Sequence, residues 1–192
     1  MKNIFLISFV LLGLLLGLLF SGCGSETIDK SAISKTKKEE TNIKFESQPF
    51  TLISTNEKFI SVQSTPNGLD FDEFKGKKAV LVDIFATWCP PCIESIPKLR
   101  DVKEKYKDNF EIVSVLFQDD KTAEEMKKFI EEYKINYTIT MGGDNQKLAD
   151  EFNVKKIPEM FLFSKDGKFV KKFIGKVSQE ELERYIKVAI EN

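Results

Sequence analysis

The segment AVLVDIFA, from Ala79 to Ala86, constrains the fold more than any other part of this 192-residue chain. A strand with one face in water alternates apolar and polar residues, whereas this segment is apolar everywhere except at Asp83. A continuous apolar run of this kind is typical of a central strand whose two faces are both covered. We therefore predict a sheet that is covered on both faces, with one acidic residue in its central strand.

The segments around this strand alternate between strand and helix patterns. Further strands are expected at PFTLI, KFISVQ, FEIVSVLF, YTITM, EMFLF and KFVKKFIG. Helices are expected from Pro91, after the capping pair Thr122 and Glu125, at NQKLADEF, and after the cap formed by Ser178 and Glu181. Asp166-Gly167 predicts a tight hairpin between the last two strands. The order indicates an α/β fold with a mixed central sheet and helices on both faces.

The beginning of the chain has the pattern of an export signal. Lys2 precedes an uncharged apolar stretch from Ile4 to Phe20, which is slightly short for a membrane span of about 20 residues. Residues 1–22 are therefore predicted to be a signal peptide. The sequence FSGC, which ends at Cys23, resembles the cleavage box of bacterial lipoproteins and implies a lipid on Cys23. An uncleaved signal anchor is the alternative, and both place the rest of the chain outside the inner membrane.

The remaining chain divides into a tether and one domain. Residues 23–47 are predicted to be flexible, because they are polar and their few apolar residues form no continuous face. Residues 48–192 are predicted to fold as a single domain, which we expect to be a monomer. The net charge of −1, with both signs interleaved, gives no indication of nucleic-acid binding. The pair Lys171-Lys172 is expected to lie on a solvated surface.

Cys89 and Cys92 form a C-x-x-C pair between the central strand and the helix that follows it. A structural zinc site needs four ligands, and a chain without histidine would have to supply half of them as carboxylates. A copper carrier that uses both thiolates remains possible, although such sites usually recruit His or Met. A purely structural disulfide would close too short a loop to stabilise the fold much.

The position of the pair favours redox exchange over these alternatives. The first thiol is expected at the N-terminus of a helix, where free N–H groups and the helix dipole lower the pKa of a thiol. The second thiol, about one turn later, can attack the mixed disulfide that the first one forms.

The sequence DIFATWCPPC, from Asp83 to Cys92, resembles the active-site signature of thioredoxin-fold oxidoreductases. The resemblance spans nearly the whole mature domain and is closest to the membrane-tethered TlpA/ResA type, relatives of the cytochrome c maturation thioredoxins. It includes Asp83 before the first cysteine, Pro97 after the second, and Ile157-Pro158, which matches the cis-proline of the family. The additional helix and strand before Ile157 match the insertion of this branch.

The resemblance implies a thioredoxin fold with an N-terminal strand extension, a helix-strand insertion, and no cofactor besides the redox cysteines. Cys89 is expected to be the exposed nucleophile and Cys92 the buried resolving thiol. Asp83 is expected to exchange a proton with Cys92, and its pKa should be raised because burial penalises its charged form. Pro158 is expected to shape a groove in which the Ile157 backbone pairs with an extended substrate.

Three further residues, Trp88, Pro90 and Glu159, are expected to contact the substrate. Glu159 follows Pro158, as an acid does in cytochrome maturation thioredoxins, and is either a second acid near the disulfide or part of a solvated edge. Many ResA-like proteins carry a Glu at the position of Ser95. Here Glu94 precedes it, and a helix turns by roughly 100° between neighbouring residues, so Glu94 cannot take over that role.

The sequence thus predicts a lipoprotein that reduces disulfides in exported proteins and receives electrons from a thiol reductant in the membrane. The resemblance also implies roles in cytochrome complex assembly and in antioxidant defence. Two alternatives remain, a dithiol oxidant that introduces disulfides and a non-enzymatic copper carrier.

Replacing Cys23 with Ala should release the protein from the membrane and leave the redox chemistry of its soluble domain unchanged. The physical reason is that the lipid supplies only the position of the domain. Membrane fractionation checks this, with Cys89→Ala as a control that should stay in the membrane fraction. Equal retention of both variants would favour an uncleaved anchor.

Overall fold

The computed structural model describes Ile43 and residues 45–192, and a five-stranded mixed sheet is its central element. The strands lie in the order β6-β5-β4-β7-β8, with β4 in the middle. Their bounds are β4 Ala79–Phe85, β5 Phe110–Leu116, β6 Thr138–Thr140, β7 Glu159–Phe163 and β8 Phe169–Ile174. Strands β4, β5 and β6 are parallel, whereas β7 and β8 are antiparallel to their neighbours. Every residue of β4 is buried, as its continuous apolar pattern predicts.

A second, three-stranded antiparallel sheet precedes the central one and consists of β1 Pro49–Ile53, β2 Phe59–Thr65 and β3 Gly68–Phe71. The sequence predicts β1 and β2 but not β3, which is only four residues long and directly follows a turn at Pro66-Asn67. The small sheet reaches the edge of the large one, since Ser54 forms an isolated bridge with Thr140. The Ile53 carbonyl also accepts a hydrogen bond from the amide of Met141 at 2.7 Å.

Four helices complete the described part of the chain: α1 Pro90–Lys105, α2 Ala123–Glu132, α3 Asn145–Glu151 and α4 Gln179–Glu191. The predicted capping box of α2 is present, with Thr122 and Glu125 each bonding the backbone of the other. Ser178 caps α4 through a hydrogen bond from the Glu181 amide, also as predicted. The architecture confirms the predicted α/β fold with a mixed sheet.

The two faces of the central sheet bury separate cores. On one face, Leu81 of β4 and Leu162 of β7 pack with Leu99 of α1 and Leu182 of α4. The other face packs against the small sheet and α3. Its buried residues are Phe50, Leu52, Ile60, Val62, Leu69, Phe71, Val80, Val82, Ile84, Val113, Val115, Leu148, Phe152, Phe161 and Phe163.

Phe45 corrects the predicted boundary between tether and domain. It is buried in the second core, and its ring lies 6.0 Å from the rings of Phe152 and Phe163. The prediction of a tether up to residue 47 is therefore wrong at its end, because Phe45 and the partly buried Ile43 both pack against this core. The predicted signal peptide, Cys23 and the rest of the tether lie outside the described residues.

The prediction of a solvated Lys171-Lys172 surface is also wrong. Lys171 is buried and the Lys172 side chain is only 19% exposed. Both stand in β8, where the aliphatic stems of lysine residues can cover apolar surface. Lys172 also lies over the ring of Phe161, with its ammonium 5.0 Å from the ring centre. In the described ranges, no helix is both long and apolar enough to cross a membrane.

Candidate active site

The two cysteines meet at the junction between β4 and α1. Strand β4 ends at Phe85, α1 begins at Pro90, and Cys89 is the N-cap residue of the helix. Cys89 and Cys92 form a disulfide, so the structure represents the oxidised state. The Cys92 amide donates a hydrogen bond to the Cys89 sulfur at 3.3 Å. The first sulfur therefore occupies the position at which a helix terminus stabilises negative charge.

Exposure does not separate the two cysteines as the sequence predicts. Cys89 is only 3% exposed and Cys92 is 4% exposed. Both pack in a core formed by side chains of β4, α1 and α2, among them Phe85, Ile96 and Phe129. In the oxidised state, the bond between the two sulfurs holds Cys89 against the same core as Cys92. The expected roles of nucleophile and resolving thiol therefore rest on helix position and stay predictions.

Asp83 lies inside the sheet, on the face covered by α1. It is only 5% exposed, and its neighbours two residues away, Leu81 and Phe85, pack in the cores of that face. The Ser114 hydroxyl on β5 donates a hydrogen bond to Asp83 Oδ2 at 2.9 Å. Burial raises the pKa of Asp83 from 3.8 to about 6, and the Ser114 hydrogen bond opposes part of that rise. The predicted raised pKa is confirmed, and the carboxyl can exchange a proton near neutral pH.

A tyrosine lies within electrostatic range of this acid. Tyr137 packs against the cores on the Asp83 face of the sheet. Burial, and then the charge of Asp83, raise the pKa of the Tyr137 hydroxyl well above 10. The phenol therefore stays neutral at physiological pH and adds no charge to the surroundings of Asp83.

The residues directly before Cys89 are tied to the loop between β5 and α2. The amide and the hydroxyl of Thr87 both donate hydrogen bonds to Asp119 Oδ2 at 2.7 Å. The indole of Trp88 donates one to the Gln118 carbonyl at 3.0 Å. Trp88 is nevertheless 59% exposed, which confirms the expectation that it supplies surface beside Cys89. Pro90 is exposed as well.

The Ile157–Pro158 peptide is cis, as the resemblance implies. Ile157 packs against the core that contains the cysteines, so the structure brings this segment to the redox pair. Pro158 is buried, and its carbonyl accepts a hydrogen bond from the Gly175 amide at 2.8 Å. In contrast, neither backbone group of Ile157 has a backbone hydrogen-bond partner among the described residues. These groups are the ones that an extended substrate strand would need.

Glu159 does not lie on a solvated edge, one of the two environments predicted for it. It is 3% exposed, so it does not belong to a solvated edge. Strand alternation places it with Phe161, on the face opposite Asp83, so it is not a second acid on the Asp83 side of the sheet. Its Oε2 lies 2.6 Å from the Lys172 ammonium in a contact that lacks the alignment of a hydrogen bond. Its predicted contact with substrate stays a prediction.

The helix positions after the second cysteine carry no buried acid. Ser95 is buried, and its hydroxyl donates a hydrogen bond to the Pro91 carbonyl at 2.9 Å. Glu94 is exposed and forms an ion pair with Lys176. As expected from the helical rotation, Glu94 does not replace the Glu that many ResA-like proteins have at the position of Ser95.

The sequence does not predict two polar partners of the site, Ser114 and Asp119. Ser114 stands in the buried strand FEIVSVLF, and this isolated hydroxyl is the only signal that could have marked it as a partner for Asp83. Asp119 is followed by a second acid, Asp120, in a polar loop, and nothing in the sequence distinguishes the two.

Comparison with known proteins identifies the family to which the chain belongs. The model of the family described as Redoxin matches residues 44–188, which is most of the chain. The chain belongs to the Redoxin family. The match begins next to Phe45, in agreement with the domain boundary that the buried ring of this residue sets.

Two bacterial relatives resemble this redoxin in sequence. A thiol-disulfide oxidoreductase ResA from Bacillus thuringiensis strain Al Hakam is 32% identical over 120 residues, which are 62% of this chain and 67% of the relative. Another ResA, from B. thuringiensis subsp. konkukian, is 29% identical over 155 residues, which are 79% and 81% of the two chains. The redoxin is a thioredoxin-like oxidoreductase of the ResA type, and its activity is thiol–disulfide exchange.

A solved structure supports the fold independently. The exposed lipoprotein thioredoxin Etrx1 of Streptococcus pneumoniae superposes with a TM-score of 0.57 at 20% identity, and the match covers 73% of this chain and 99% of Etrx1. At this identity, the match establishes the thioredoxin-like fold of the redoxin.

Replacing Asp83 with Asn should stabilise the oxidised redoxin at about pH 8. Between pH 3.8 and about 6, the folded state keeps a proton that the unfolded chain has lost, so stability falls as the pH rises through that window. At about 1.4 kcal/mol per pKa unit, the charged carboxylate costs roughly 3 kcal/mol above the window. Urea denaturation should therefore show that gain for Asp83→Asn at about pH 8 and little difference at about pH 4.

Asp120, an exposed residue of a loop, supplies the control. Asp120→Asn removes the same charge from an exposed side chain and should leave stability nearly unchanged at both pH values. An Asp83→Asn variant that shows the same gain at both pH values would contradict the raised pKa.

Proposed function

We propose that this redoxin is a membrane-tethered, extracytoplasmic reductase that opens disulfides in exported proteins with the Cys89–Cys92 dithiol. The observation that carries the proposal is the position of the Cys89 sulfur at the N-terminus of α1, where it accepts a hydrogen bond from the Cys92 amide. This position combines a reversible dithiol with a buried acid on the preceding strand and with Ile157 packed against the same core, and these are the parts that disulfide reduction needs.

In the first step, the reduced Cys89 attacks as a thiolate. The helix terminus and the Cys92 amide favour the thiolate over the thiol. Its sulfur forms a bond with one sulfur of the target disulfide, while the bond between the two target sulfurs breaks. The second target sulfur leaves as a thiolate and takes a proton from water. The product is a mixed disulfide between Cys89 and the target.

In the second step, Cys92 resolves the mixed disulfide. Asp83, with a pKa of about 6, accepts the proton of the Cys92 thiol, directly or through a water molecule. The Cys92 thiolate then attacks the Cys89 sulfur, forms the Cys89–Cys92 disulfide and releases the target as a thiolate. Two electrons have passed from the redoxin to the target, and the redoxin is left in the oxidised state that the structure represents.

The surroundings of the disulfide suit an extended protein segment. The amide and carbonyl of Ile157, which have no backbone partner within residues 45–192, can pair with the backbone of a target strand. Trp88 and Pro90, which flank Cys89 in sequence, supply exposed apolar surface. Backbone pairing recognises any extended chain, so these contacts fit a range of exported proteins with accessible disulfides.

The proposed location rests on the N-terminal sequence. A lipid on Cys23 would hold the domain at the outer surface of a membrane, and the similar pneumococcal structure is described as that of an exposed lipoprotein. A reductase outside the cytoplasm must be reduced again after each cycle. We propose a membrane protein with a thiol pair as that electron donor, so that no cofactor beyond the two cysteines takes part.

Replacing Cys92 with Ser should trap the redoxin on its targets. The serine hydroxyl cannot resolve the mixed disulfide, so covalent complexes between Cys89 and exported proteins should accumulate. Non-reducing electrophoresis of extracytoplasmic fractions, followed by a second dimension under reducing conditions, measures them.

The matched control is Cys89→Ser, which keeps the other cysteine and should trap far fewer targets. More complexes with Cys89→Ser than with Cys92→Ser would reverse the proposed roles. No complexes with either variant would contradict the proposed function.

A further inference from the structure

We infer that Asp119 is a positioning residue that fixes the segment in front of Cys89 and thereby holds Trp88 in place for recognition of protein disulfides. The inference rests on the proposed reductase function and adds to it a determinant of substrate specificity. Asp119 lies on the loop between β5 and α2, outside the redox pair and its proton acceptor.

The carboxylate of Asp119 accepts three hydrogen bonds, and two of them join its loop to the segment before Cys89. Its Oδ2 accepts one hydrogen bond from the Thr87 amide and one from the Thr87 hydroxyl, each at 2.7 Å. Its Oδ1 accepts a hydrogen bond at 3.2 Å from the amide of Lys121, which lies in the same loop. Hydrogen bonds to a charged acceptor are about twice as strong as neutral ones, so this contact outweighs an ordinary loop contact. Thr87 is separated from Cys89 only by Trp88.

The neighbouring residue supports the same conclusion. Gln118 adopts a left-handed backbone conformation with φ of 49°, which costs a non-glycine residue roughly 1 kcal/mol. In this conformation, its carbonyl accepts a hydrogen bond from the indole N–H of Trp88 at 3.0 Å. Such a conformation persists when surrounding contacts hold it, and the Asp119 bonds on the next residue are contacts of that kind.

The result is an indole that is exposed and yet fixed in orientation. Trp88 is 59% exposed, so packing in the core does not hold it. Its N–H is already bonded, and the rest of the ring is free to contact an apolar side chain beside the target cysteine. A fixed ring loses little entropy on binding, so the loop contributes to affinity for protein targets.

The thiolate itself depends on other contacts. The Cys89 sulfur accepts a hydrogen bond from the Cys92 amide of α1, and this bond does not involve Asp119. A small disulfide needs only the thiolate, whereas a protein disulfide also needs the surface beside it. Loss of Asp119 should therefore weaken reduction of protein disulfides and leave reduction of small disulfides nearly unchanged.

The test compares two substrates, insulin and oxidised glutathione, with the full-length protein in detergent and its Asp119→Ala variant. We expect KM for insulin to rise about tenfold, the equivalent of one charge-assisted hydrogen bond, with kcat and the glutathione rate within about twofold. Quenching of Trp88 fluorescence by iodide should increase, because the ring is no longer held. Asp120→Ala removes the adjacent exposed carboxylate, which makes no hydrogen bond among the described residues, and should match the wild type in every measurement.

The outcomes separate the two proposals. A wild-type protein that fails to reduce insulin would contradict the proposed function, whatever Asp119 does. If the wild type is active, an Asp119→Ala variant that behaves like Asp120→Ala overturns the inference, and so does an equal loss with both substrates. Thr87→Val serves if Asp119→Ala does not fold, because it removes only the hydroxyl bond to Asp119. It should raise KM for insulin about threefold, and an unchanged KM would overturn the inference.

Discussion

The hydrogen bond from the Cys92 amide to the Cys89 sulfur is the contact on which the chemistry of this redoxin depends. It exists because a fully buried strand, β4, leads within a few residues into a helix that begins at Pro90. Neither Pro90 nor Pro91 has an N–H, so the Cys92 amide is the first that the helix can offer to the sulfur. The sheet determines where the strand ends, and the N-terminus of the helix then stabilises negative charge on the Cys89 sulfur.

The buried acid opposes this stabilisation. Asp83 is placed two residues before Phe85 on the same strand, so the packing that holds the cysteines also keeps the carboxyl away from water. Its pKa of about 6 leaves it mostly charged at pH 7, where its negative charge disfavours a second negative charge in its surroundings. Ser114 limits the rise in the pKa by donating its hydroxyl. The site therefore combines one amide that favours a thiolate with one carboxylate that disfavours it.

Local patterns allow much of this arrangement to be predicted from sequence. A single acid in an apolar strand must be buried, and a C-x-x-C pair between strand and helix must lie at a helix terminus, so Asp83 and the cysteines could be predicted. Contacts between distant segments leave no such pattern. Ser114 looks like any small residue in a buried strand, and Asp119 looks like its exposed neighbour. Phe45 and Ile43 join the core from an otherwise polar segment, and two apolar residues are too few to establish a periodic pattern.

The reduction potential of the Cys89–Cys92 pair tests the reductase proposal most directly. A strong oxidant over-stabilises its thiolate, whereas here one amide acts against a buried acid, and no basic residue lies between the cysteines. Equilibration of the purified protein with a glutathione buffer should therefore give a potential nearer to about −270 mV, as in thioredoxin, than to about −120 mV, as in a strong oxidant. A potential above about −150 mV would contradict the reductase and favour an enzyme that introduces disulfides.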